Sequence, residues 1–164
     1  MLTKQQKSKQ IEESQKLLDE NRLVFFTDFS GTPVEDLRQL RKIMKELGAK
    51  VKVIKKKLLR VAFEKKGVDF NPEQFESQVA AIFASKDISE IAPPIYKFSK
   101  GKEKKGFKIL GAYDLMERNF FDAETAKRIG QLPSREVLLG QLVGMLASPI
   151  RMFLYVLNEK SKRS

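Results

Sequence analysis

The chain contains no cysteine and no histidine. Without cysteine there are no disulfides and no thiol nucleophile, and a cytosolic location is the expectation. Without histidine there is no imidazole base, and nearly every zinc site is excluded with it. No run approaches the roughly 18 uninterrupted apolar residues of a bilayer span, so no membrane partner is expected. The opening MLTKQQKSKQ lacks the apolar centre of a signal peptide. No glycine-rich loop of the kind that cradles phosphates occurs; Gly31 and Gly48 read as a turn and a helix stop.

What remains is a chain of 164 residues, enough for one domain and an appendage. It is 41% hydrophobic and 32% charged, too apolar for disorder. Its net charge of +11 is uneven. Residues 1–70 hold 17 Lys/Arg against 10 Asp/Glu, residues 71–130 hold 10 against 9, and residues 131–164 hold 5 against 2. The excess in the first half points to a polyanion such as RNA.

The apolar pattern alternates between strand and helix periods. Lys4 to Asn21 reads as a helix with Ile11, Ser14, Leu17 and Leu18 inward. LVFFTDF (Leu23 to Phe29) reads as a buried strand. Thr32-Pro33-Val34-Glu35 predicts a capped helix start with Pro33 in the first position and Glu35 closing a capping box. Leu37, Leu40, Met44 and Leu47 then line one face, and Gly48 ends the helix. Lys50 to Ile54 is a second strand, Lys56 to Lys66 a helix, Pro72 to Phe75 a short helical turn and Val79 to Ala84 a third strand. Asp87 should cap a helix that the pair Pro93-Pro94 breaks or kinks. Ser99 to Gly106 reads as a charged loop, Phe107 to Ala112 as a fourth strand, and Asp122 as the cap of a helix through Ile129.

The fold class that follows is α/β: a mixed four- to five-element sheet with helices in a head of residues 1–131, then a protruding helical tail of residues 132–164. Leu132-Pro133-Ser134 is the hinge, with Ser134 as a cap. Ser148-Pro149 repeats that chemistry, so the tail should be two helices or one kinked rod.

Three groups of residues carry functional expectations. Lys55-Lys56-Lys57 stands where a strand passes into a helix. Cations there oppose the helix dipole by about 0.3–1 kcal/mol each, which suggests an offsetting phosphate. Arg60 follows about one turn later. Lys4 and Lys7 share a helix face and could extend the patch. No aromatic residue is interleaved with these lysines, so recognition of folded RNA by shape and backbone fits better than base stacking. The second group is Asp28, Glu35 and Asp36, the nearest approach to a metal-dependent nuclease. Glu35 and Asp36 are explained by helix-start chemistry, so a catalytic triad of carboxylates is not expected.

The third group is the tail. Leu139, Leu142, Val143 and Leu146 recur eleven positions later as Ile150, Phe153, Leu154 and Leu157. Eleven residues are about three helical turns, so both quartets fall on nearly one face. Met152, Tyr155 and Val156 widen the belt. The head's helices are already committed to its sheet, so the stripe is expected to bury itself against a partner, and its duplication implies two copies.

In this order and spacing, MLTKQQK, VFFTDFSGTPVEDLRQLRK, KVIKKKLLRVAF, FKILGAYDLMERNFFDAETAKRIGQLPSRE and VGMLASPIRMFLYVLN resemble the bacterial large-subunit ribosomal stalk-base protein family over almost the whole chain. The resemblance implies a cytoplasmic, non-enzymatic ribosomal protein without cofactors. Its head would bind large-subunit ribosomal RNA of the GTPase-associated region, next to another ribosomal protein. Its tail would hold dimers of the acidic stalk protein, which recruit translational GTPases. Carried over by position, the RNA contacts are Lys4, Lys7, Lys55, Lys56, Lys57 and Arg60, and the dimer sites are the two quartets. The family usually reads Lys-Asn-Thr where this chain has Lys55-Lys56-Lys57, and Gly-Pro where it has Ser77-Gln78. Members with three binding segments have a longer tail, so two dimers are expected here. An assembly factor of the same fold that binds RNA without stalk dimers is the alternative.

Overall fold

A computed structural model of the chain describes residues 4–68, 70–75, 77–102, 106–133 and 135–163; the side chains of residues 4–7, 102 and 163 lie outside the description. The chain divides into two units, one ending at Gln131 and the other starting at Leu132.

The first unit is organised by its central strand, β1 (Leu23–Asp28), whose six residues are all buried. Burial on both faces is what a continuous apolar run requires. Around it lie β2 (Lys50–Val53), β3 (Val79–Ala84), β4 (Lys108–Asp114) and β5 (Asn119–Asp122), in the order β2-β3-β1-β4-β5. Every ladder among them is antiparallel, where strand–helix alternation had allowed a mixed sheet. The strands β4 and β5 run on through a tight connection, so the fifth strand is the second arm of a hairpin.

Side chains alternate across the sheet and create two cores. Leu23 and Phe25 pack with Leu40 and Met44 of α2 (Val34–Glu46), Ile91, Ala92 and Ile95 of α4 (Ile88–Lys102), and Ala126 of α5 (Ala123–Gln131). Val24 and Phe26 face the other way, onto Leu17 and Leu18 of α1 (Lys4–Glu20), and Leu59, Ala62 and Phe63 of α3 (Lys56–Lys65). The second core is aromatic: Phe26, Phe63, Phe70, Phe75, Tyr113 and Phe120 form a chain of ring contacts with centroids 5.0–6.4 Å apart. A register shift lets both Ile109 and Ala112 of β4 enter the first core. Phe26 pairs with Gly111 and Thr27 with Ile109, which leaves Leu110 as the extra residue of a bulge. Gly111 takes φ 154° there, and a Cβ on it would lie 2.8 Å from the carbonyl oxygen of Phe121.

Several local expectations are corrected. Helix α2 starts one residue later than its capping motif suggests: Pro33 is the N-cap, with no side-chain capping bond. The Thr32 Oγ1 is buried without a partner among the described residues. Asp87 gives its backbone carbonyl to the N–H groups of Glu90 and Ile91, while its carboxylate pairs with Arg22 at 2.6 Å. Pro93 and Pro94 do not break α4. The neighbouring Ile91, Ala92 and Ile95 are buried on the core, and that packing holds the helix through the two missing N–H donors. The helix continues to Lys102, so the charged loop is shorter than Ser99 to Gly106.

The second unit is α6 (Arg135–Arg163), one helix of 29 residues that passes through Pro149. It is neither two helices nor broken at Ser148-Pro149. Ser134, the expected cap, lies outside the described residues. Arg135–Lys162 is long and apolar enough to cross a membrane by length and composition. That corrects the run-based expectation, because isolated polar residues such as Gln141 and Arg151 interrupt the run without lowering its average much.

Candidate functional sites

The basic site is built where β2 leaves the sheet edge and α3 begins. Lys55 is the N-cap of α3, in extended conformation and without a side-chain capping bond. Its carbonyl accepts from the N–H groups of Leu58 and Leu59. Beside this junction lies an open groove of about 720 Å³, lined by Gln10, Phe29, Val53, Ile54, Lys55, Lys56, Lys57, Leu58, Gln78 and Val79. Four elements (α1, β2, α3 and β3) and three loops thus converge on it. Lys55 and Lys57 are exposed, and neither forms an ion pair among the described residues.

The other expected contacts are placed differently. Lys56 is half-buried and donates from Nζ to the carbonyl of Phe75 at 2.6 Å, which ties α3 to the loop before β3. Arg60 donates to Glu64 at 2.7 Å and lies 3.9 Å from Glu73. The Glu64 hydrogen bond and the two carboxylate charges hold its guanidinium pKa above the ordinary value. Arg60 lines a separate hollow with Glu64, Gly67, Val68, Phe70 and Asn71. The structure therefore brings Lys55, Lys56 and Lys57 together and leaves Arg60 apart. Lys4 and Lys7 belong to α1, but their side chains lie outside the described ones.

Much of the remaining positive charge is compensated internally. Lys50 meets Glu20 at 3.4 Å, Lys52 meets Glu13 at 2.5 Å and Lys66 meets Asp19 at 3.1 Å. These pairs fasten α1 to β2 and α3. The Lys52 hydrogen bond and charge lower the Glu13 pKa below the usual carboxylate value. Helix α2 differs. Arg38, Arg41, Lys42 and Lys45 share one exposed face by their spacing, and none is paired among the described residues. Their spacing of three and four residues is the sequence signal of this face.

Asp28 has a structural role. Its Oδ1 accepts the N–H of Ser30 at 2.8 Å and so closes the turn after β1. Asp36 is buried on α2, and among the described residues no group of three Asp, Glu, His or Cys side chains is placed to hold a metal.

The tail is exposed along its length. The eight residues of the two quartets are 47–71% exposed. At 100° per residue they occupy an arc of about 120°. Leu138, Met145, Met152 and Val156 flank one edge of that arc and are also exposed, at 36–68%. The apolar surface is thus wider than the two quartets alone. Leu138 and Met145 were missed by the eleven-residue search because they repeat with Met152 at a spacing of seven.

A three-layer head with a lysine-rimmed groove, joined to an unburied apolar helix, defines a binding scaffold. Residues 2–100 match the ribosomal protein L10 family, and residues 132–158 match the ribosomal protein uL10 C-terminal region. Curated relatives include the large ribosomal subunit protein uL10 of Thermosipho melanesiensis, 36% identical over 96% of this chain and 89% of its own. Those of Thermotoga maritima and Nautilia profundicola are each 32% identical, covering 100% and 96% of this chain and 99% and 95% of theirs. The chain belongs to the ribosomal protein L10 family.

Proposed function

We propose that the protein is a structural constituent of the large ribosomal subunit, acting on the ribosome in the cytoplasm rather than as an enzyme. Its head binds large-subunit ribosomal RNA at the GTPase-associated region, beside a neighbouring stalk-base ribosomal protein. Its tail anchors two dimers of the acidic stalk protein, through which translational GTPases are recruited. The observation that carries this reading is a groove at which Lys55 and Lys57 form no ion pair among the described residues, together with an apolar helix that carries its pattern twice and buries neither copy. Eight such side chains offer roughly 1.5–3 kcal/mol each on full burial, which exceeds the cost of association. An acidic partner suits the tail electrostatically, since residues 131–164 carry 5 Lys/Arg against 2 Asp/Glu. An assembly factor without stalk dimers would have no use for this surface.

The groove is tested by replacing Lys55 and Lys57 with Ala and measuring RNA affinity across a salt series. Each lost phosphate contact should lower the slope of log K against log salt by about 0.7–0.9. An unchanged slope would remove the groove from the RNA contact. The tail is tested by the mass of the complex with the stalk protein. Two dimers should bind the full chain and none should bind after deletion of residues 132–164.

A further inference from the structure

The lysine triplet alone pointed to backbone recognition, because no aromatic residue stands near it in sequence. The fold supplies one. Phe29, which follows β1, lines the same groove as Lys55 and Lys57. It is half-buried and makes no ring contact among the described residues, whereas Phe26, Phe63, Phe70, Phe75, Tyr113 and Phe120 are linked to one another by ring contacts. Val53, Ile54, Leu58 and Val79 complete an apolar lining, and Val53 is 50% exposed.

The polar lining is equally selective. Among the described residues it contains no carboxylate, and its charged groups there are the three lysines. Its uncharged polar residues are Gln10 and Gln78, and neither side-chain amide is engaged elsewhere among the described residues. An amide carries two donors and an acceptor, the pattern that reads the edge of a base. A phosphate site needs no apolar lining, and an acidic peptide needs no free aromatic face. A nucleotide needs both, and the volume of the groove is ample for one.

We infer that this groove receives one unstacked nucleotide of the bound RNA, its base against Phe29 within reach of Gln10 and Gln78, and its phosphate beside Lys55 and Lys57. The inference rests on the RNA-binding reading above and adds base recognition to it. RNA-binding surfaces gain sequence preference in this way, by splaying a base out of a loop onto an aromatic ring.

The test uses the full chain and its own large-subunit RNA transcribed in vitro. Ultraviolet crosslinking followed by mass spectrometry should find a nucleotide adduct on the peptide containing Phe29 or Gln78. Phe29→Leu, which keeps the apolar volume and removes the ring, should weaken binding about tenfold. Its salt slope should match the unaltered protein, since no phosphate contact is lost. Phe29→Tyr should bind as the unaltered chain does. If Lys55→Ala with Lys57→Ala weakens binding while Phe29→Leu leaves it unchanged and no adduct forms, base capture is refuted and the RNA reading stands. A protein segment filling the groove would give that same result. If neither variant changes RNA affinity, the RNA reading itself fails.

Discussion

The duplicated tail surface predicts that its halves can be silenced one at a time. Consider Ile150→Ala with Phe153→Ala. Phe153 is 65% exposed and Ile150 is also 65% exposed, so neither supports the head or the rest of α6. Alanine is the best helix former, so the helix persists. A phenylalanine side chain buries roughly 150–250 Å² when covered. Two-thirds of that, at about 25 cal/mol per Å², is worth about 2.5–4 kcal/mol. The retained Cβ reduces the loss to about 2–3 kcal/mol for Phe153, with a further 1 kcal/mol or so for Ile150. Affinity at the second quartet should fall by at least about 100-fold, while the quartet from Leu139 to Leu146 keeps its own. Native mass spectrometry at sub-micromolar stalk protein should then show one dimer per chain in place of two. The mirror variant, Leu142→Ala with Leu146→Ala, should also leave one. The melting temperature of the head should not move in either. Loss of both dimers from either variant would refute independent sites, and retention of both would refute the assignment of the stripe.

Gly130 packs so closely on α4 that a Cβ would lie 2.6 Å from the Cβ of Tyr96 and 3.0 Å from the carbonyl oxygen of Ala92. Gly130→Ala should therefore destabilise the head by about 1–3 kcal/mol in urea titrations, despite the higher helix propensity of alanine; a stabilised variant would show that α5 is free to shift. Arg22 joins Asp87, ahead of α4, to the buried Asp114 and to Glu117 at the β4–β5 turn. Arg22→Ala should cost about 1–3 kcal/mol, and a melting temperature unchanged in low salt would contradict it. The Glu13 carboxyl, held low by Lys52, should titrate by NMR below the usual glutamate value and return to it in Lys52→Ala. Because its folded pKa is depressed, its contribution to stability is present above the unfolded value of about 4.5 and is lost as pH falls through the folded one.

The elements that were legible in the sequence are those whose own apolar pattern is regular from end to end. Strand β3 is a pure apolar run, and α3 is a regular amphipathic helix closed by Gly67 at φ 71°. Both stand where periodicity places them. The misreadings arise where a distant segment intervenes. Pro93 and Pro94 look like breakers until the buried Ile91, Ala92 and Ile95 are seen to hold α4 to the sheet. Strand β5 has only four residues, two of them half-buried, and takes its conformation from β4 rather than from its own pattern. The same holds for the groove. The lysine triplet is contiguous and was visible, but Phe29 and Gln78 reach it from other loops, and no spacing rule connects them. Arg60, adjacent by helical count, is drawn away by Glu64 and Glu73.

The strand order has a consequence for how the protein is made. Strand β1 emerges early, yet both of its neighbours, β3 and β4, lie more than fifty residues further along the chain. During synthesis this buried strand must wait unpaired until Ala84 has been added, and it keeps one edge open until Asp114. Such non-local pairing is slow as well as late. The helix α6, with its exposed apolar side chains, then follows. A nascent chain of this design passes through two successive periods of exposed apolar surface, and chaperone occupancy should peak twice along its message.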